Sequence, residues 1–106
     1  MGKMQRRKGA VNERDAANWI KPIYPDARRS ANQAAGAMQP DVDGTPFWVE
    51  VKSGKSIGLW AALQQAIYDR KVANDGRPIL LYLKRDRTVP VVVMLASEFM
   101  DECLKR

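Results

Sequence analysis

The run Thr45–Ser53 constrains this chain more than any other segment. Phe47, Val49 and Val51 alternate with Trp48, Glu50 and Lys52, a period of two that suits an extended strand with one apolar face. Residues two apart in a strand share a face, so Glu50 and Lys52 emerge side by side. The apolar set is expected to face the core and the other set a cleft. Just upstream, Asp41 precedes Val42-Asp43-Gly44, and a bend at Asp43-Gly44 can return it to the same sheet edge. Trp48 shares the face of Glu50 and Lys52. It can wall a site, cover a subunit interface or pack under a helix.

The flanking segments predict an α/β domain with a mixed central sheet. Gly9–Ile20 reads as a helix with Val11, Ala16, Trp19 and Ile20 on its apolar side, ended by Pro22 and Pro25. Residues 26–38 are small and polar, either a weak strand with a loop or a short helix. Ile57–Asn74 is the strongest helix, with an apolar stripe of Leu59, Trp60, Leu63, Ala66, Ile67 and Val72 and Ser56 as a cap. On this reading Trp19 and Trp60 pack in the core. Ile79–Leu83 and Val89–Leu95 read as buried strands, the second with Pro90 at its start. Ser97 is expected to cap a last helix through Leu104. Residues 1–8 form a flexible basic arm, and 9–106 a single domain.

Composition narrows the chemistry. The chain has no histidine and one cysteine, Cys103. That removes an internal disulfide, a cysteine-based metal cage, zinc and haem. A lone thiol fits a reducing, cytoplasmic setting. No apolar run reaches the ~18 residues of a membrane span, so no membrane partner is expected. Eighteen Lys and Arg against twelve Asp and Glu leave a net charge of +6, which favours a polyanion partner, nucleic acid being the commonest. Gly54-Lys55-Ser56 ends like a phosphate-binding loop, but Val49 stands where such a loop needs its upstream glycine.

Two carboxylates and an ammonium at one edge suit phosphodiester hydrolysis. Mg²⁺ (with Mn²⁺ as substitute) prefers one or two carboxylates plus waters to a full protein cage. Asp41 and Glu50 supply the carboxylates, and the Val51 carbonyl another oxygen. Lys52 orients the attacking water or neutralises developing charge. Arg6, Arg7, Lys8, Arg28, Arg29 and Lys55 flank these residues and suit phosphate contacts, with Ser30 and Ser53 as further donors or turn caps.

Pro40-Asp41 followed, after eight residues, by Glu50-Val51-Lys52 resembles the signature of the PD-(D/E)XK nucleases. Arg7–Arg14 resembles the opening helix of archaeal-type Holliday junction resolvases and their phage relatives, and Arg28-Arg29-Ser30 the arginine-serine step on their first strand. The resemblance spans residues 6–84. It implies a restriction-endonuclease-like core, α-β-β-β-α-β, with Asp41 and Glu50 as metal ligands, Lys52 as catalytic lysine and Glu13 as an additional acid. Gln64 and Tyr68 resemble the Gln-x-x-x-Tyr motif of the RecB-like branch, which implies a glutamine holding the water or the lysine and a tyrosine on a phosphate. The expectation is a Mg²⁺-dependent endonuclease on DNA, branched DNA above all, working as a homodimer, since junction cleavage needs two symmetric cuts. A phage or prophage origin suits its size. The alternatives are a nuclease for flaps, ends or duplex, or a non-catalytic DNA-binding module of the same fold.

Overall fold

The computed structural model describes the backbone of residues 2–31 and 38–105, and side chains over 9–31 and 38–105. The elements run α1 (Gly2–Ile20), β1 (Arg28–Arg29), β2 (Val42–Asp43), β3 (Trp48–Gly54), α2 (Leu59–Val72), β4 (Ile79–Arg85), β5 (Val91–Val93) and α3 (Ala96–Leu104). They form an α/β domain around one five-stranded mixed sheet in the order β1-β2-β3-β4-β5. Only β3 and β4 pair in parallel, with Trp48 opposite Ile79 and Lys52 opposite Leu83. A parallel pair needs a crossover, and α2 supplies it.

Both faces of the sheet are covered. Ala16, Ala17 and Ile20 of α1 pack with Val42, Phe47, Val49, Leu80 and Tyr82. On the other face Ala62, Leu63 and Ala66 of α2 pack with Trp48, Ile79, Leu81 and Leu83. The residues of β4 therefore alternate between two cores. This explains its unbroken apolar run, every residue of Ile79–Leu83 being buried. Fully burying one such side chain contributes about 1.5–3 kcal/mol. Glu98 ties α3 to this frame. It accepts the Ile79 backbone N–H at 2.9 Å and an Arg70 N–H at 2.6 Å. The same Arg70 nitrogen donates to the Arg77 carbonyl at 2.9 Å.

Several expectations change. The first helix begins at Gly2, upstream of Gly9, because lysine and arginine carry helix propensity without an apolar stripe. Arg28–Arg29 is a short strand, while residues 32–37 lie outside the described residues. Neither Ser56 nor Ser97 caps a helix. The N-caps are Gly58 and Leu95, and Ser97 falls inside the first turn of α3. The Val89–Leu95 segment is not a buried strand. Only Val91–Val93 pairs, at the sheet edge, with Val89 77% and Val91 50% exposed. Trp60 is 75% exposed and outside the core, and Trp19 is half exposed against the Tyr82 ring. On β3 the Trp48 face is not open along its length, since Trp48 is buried beneath α2 and the cleft begins only beyond it.

Candidate active site

Asp41 reaches Glu50-Val51-Lys52 through the β2–β3 hairpin. Val42 pairs with Val49, and the chain before it folds back so that Asp41 lies beside the Val49–Val51 stretch. The turn rests on Gly44, whose φ is +82° and whose absent Cβ would lie 2.1 Å from the Asp26 carbonyl oxygen. Asp41 donates its backbone N–H to the Val49 carbonyl at 2.8 Å. Its side-chain Oδ2 accepts the Val51 N–H at 2.8 Å. In a strand the N–H and C=O of one residue share an edge, so the Val51 carbonyl also faces the Asp41 side. Ser30 holds the segment before Asp41. It is buried, its hydroxyl donates to the Pro40 carbonyl at 2.6 Å, and its N–H donates to the Asp41 carbonyl at 3.0 Å. Ser30 thus braces the site from below, out of a phosphate's reach.

Three carboxyls meet around Asp41. Burial, and then the Glu50 charge, raise the Asp41 carboxyl to about 7, against the Val51 N–H and the Lys52 charge. The contact between the two carboxyls raises Asp41 further and lowers Glu50. Glu50 is raised mainly by burial, while the Trp48 indole N–H, Asp41 and Lys52 hold it down. Glu13, from α1, is raised by burial and by the Asp41 charge. Its Oε1 accepts the Arg29 Nε–H at 2.7 Å. Lys52 is exposed, and its charge is felt by both Asp41 and Glu50. The cluster concentrates negative charge that a cation would relieve.

The donor set is hard oxygen: Asp41, Glu50 and the Val51 carbonyl. Among the described residues no three His, Cys, Asp or Glu groups gather into a metal cage. A cation here would rest on two carboxylates, a backbone carbonyl and water, which suits Mg²⁺ or Mn²⁺.

Beside Lys52 runs a groove of about 350 Å³, lined by Lys52, Ser53, Ser56, Gly58, Ala61 and Gln65 among others. Ser53 sits at its edge with its hydroxyl accepting an Asn12 amide N–H at 3.1 Å. Lys55 is exposed nearby in sequence. Gln64 and Tyr68 are exposed and do not line the groove. One position along, Gln65 lines it and donates to Asp69 Oδ1 at 2.8 Å, and the Asp69 charge reaches Glu50. Arg28 is exposed and donates to the Asp26 carbonyl at 3.3 Å. The side chains of Arg6, Arg7 and Lys8 lie outside the described residues.

Two residues make contacts that the sequence pattern did not assign. Trp48, buried at 1% exposure, donates its indole N–H to Glu50 Oε1 at 2.9 Å. Its i,i+2 relation to Glu50 was the available signal. Gln65 was hidden by the adjacent Gln64. No protein-family model, curated protein or solved structure matches the chain.

Proposed function

We propose that the chain is a Mg²⁺-dependent DNA endonuclease of the PD-(D/E)XK class, structure-selective and similar to Holliday junction resolvases. The observation that carries the reading is the closure of Asp41 onto the Glu50-Val51-Lys52 strand, with Oδ2 on the Val51 N–H at 2.8 Å. The element order from α1 to β4, α-β-β-β-α-β, supports a restriction-endonuclease-like core. The net charge of +6 supports a polyanionic substrate.

Each residue then has a task. Asp41 and Glu50, with the Val51 carbonyl, would hold the cation, which when bound supplies a Lewis acid and an acidified water. Lys52 stands on the same strand face as Glu50 and places its ammonium against charge developing on the phosphate. Glu13 keeps Arg29 at the edge of the acid cluster, where the guanidinium meets a phosphate oxygen. The groove beside Lys52 receives the strand next to the cut. A homodimer would supply the second cut of a junction, and the exposed apolar residues of β5 and α3 offer a surface for it.

The test compares cleavage of a four-way junction with that of a linear duplex of the same sequence, in Mg²⁺. We expect faster cutting of the junction, and at least a ~100-fold loss in Asp41→Ala and in Lys52→Ala. Equal rates on both DNAs would point to a general nuclease. Parent-like cutting by both variants would end the catalytic assignment, and a parent that binds DNA without cutting it would leave a DNA-binding module.

A further inference from the structure

We infer that Trp48 is a positioning residue for the cation site, setting the Glu50 carboxylate through its indole N–H before any cation arrives. The role deepens the proposed nuclease reading and rests on it. The geometry starts from the strand. Trp48 and Glu50 are two apart on β3 and share its α2-facing side. The indole is wedged between α2 and β4, against Ala62, Leu63, Ala66, Ile79 and Leu81, and is 1% exposed. A ring packed this way has one orientation. That orientation aims Nε1–H at Glu50 Oε1, 2.9 Å away.

The face of the ring is engaged as well. The Arg77 guanidinium carbon lies 5.9 Å from the Trp48 ring centroid, within cation–π range. Arg77 is itself held by Asp75, with Nε 3.1 Å from both carboxylate oxygens and Nη2 2.7 Å from Oδ2. A positive charge over the π face draws electron density from the indole and sharpens its N–H as a donor. The chain Asp75–Arg77–Trp48–Glu50 thus runs from the loop after α2 to the acid cluster.

Glutamate has three rotatable bonds, and ordering it on binding costs side-chain entropy. With Oε1 already on the indole, that cost is met in folding instead of in cation binding. Asp41 is ordered by a different donor, the Val51 N–H. Each proposed carboxylate ligand therefore has its own protein donor, and Trp48 serves Glu50.

Trp48→Ala would open a cavity and unfold much of the domain, so it tests nothing about positioning. Replacing Trp48 by 3-benzothienylalanine keeps the ring's shape and deletes only the N–H. Mn²⁺ binding to the full chain is measured by calorimetry for parent and variant, with thermal midpoints as the folding control. We expect about tenfold weaker Mn²⁺ binding in the variant, as for loss of a hydrogen bond to a charged group, at a similar midpoint. Equal Mn²⁺ affinities would overturn the role of Trp48 while leaving the cation site standing. A parent that binds no Mn²⁺ would overturn both. A second measurement is independent of metal: in the parent's ¹H–¹⁵N spectrum the Trp48 indole proton should exchange with solvent far more slowly than that of exposed Trp60. Comparable exchange would mean that the bond to Glu50 is absent, and would also overturn the role.

Discussion

Asp41 is the residue on which the chemistry and the stability of the chain most nearly conflict. Its carboxyl is raised from 3.8 to about 7 by burial and by the Glu50 charge. An acid raised on folding holds its proton longer in the folded state. Below about pH 4 both states are protonated. Between about 4 and 7 the unfolded chain ionises first, so stability falls as pH rises, and above about 7 the loss is complete. Glu13 and Glu50 are displaced in the same direction. In chelator-treated protein, scanning calorimetry should show the melting temperature dropping by more than ~10 °C between pH 4 and pH 7.5. Asp41→Asn keeps an oxygen for the Val51 N–H and removes the charge, so its profile should be flatter and its midpoint at pH 7.5 higher than the parent's. A variant that tracked the parent across the range would place the pH response elsewhere.

The hairpin from Asp41 to Glu50 sets the distance between the two acids. Gly44 alone makes its turn possible, because an added methyl would strike the Asp26 backbone in a conformation L side chains avoid. Gly44→Ala should cost about 2–3 kcal/mol, read as a lower urea midpoint, and should weaken cleavage by separating Asp41 from Glu50. Unchanged urea midpoints would show that the turn relaxes freely. Much of this element was legible beforehand: the alternation on β3 gave its two faces, and Gly44 gave the bend. Helix α2 was legible in part. Of its expected stripe, Leu63 and Ala66 are buried against the sheet and Leu59 and Ile67 pack partly buried beside them, while Trp60 and Val72 are exposed and Ala62 joins the core. A small residue at Ala62 and Ala66 suits a helix that packs over Trp48. Trp60 turns outward, and Gln65 rather than Gln64 comes to the groove. The edge position of β5 was signalled only by Pro90 at its start, since Val91–Val93 has the composition of a core strand, and its pairing places it last in the sheet. The bond from Trp48 to Glu50 depended on ring orientation, which a pattern of residue types does not carry.

At the scale of the molecule, chemistry and scaffolding divide along the chain. The acids, Lys52, Arg29 and the groove come from α1 through α2, while β5 and α3 add no residue to the acid cluster. What these last two elements add is exposed apolar surface, including Met100 at 55% and Leu104 at 78%. Charged residues on such a surface oppose association without touching the core. If this face joins two copies, light scattering should give twice the chain mass for the parent and the single-chain mass for Met100→Asp/Leu104→Asp. The double variant should also nick a junction on one strand without completing paired cuts. A parent that scatters as a single chain at every concentration would remove the homodimer.

Cys103 lies on α3, exposed, at the Phe47 end of β3 and thus away from Lys52. It is the chain's single thiol. A maleimide dye therefore attaches at one known address, between Met100 and Leu104, and leaves the acid cluster untouched. A small environment-sensitive dye there would report in its emission whether a second copy covers that face, whether DNA is present or not.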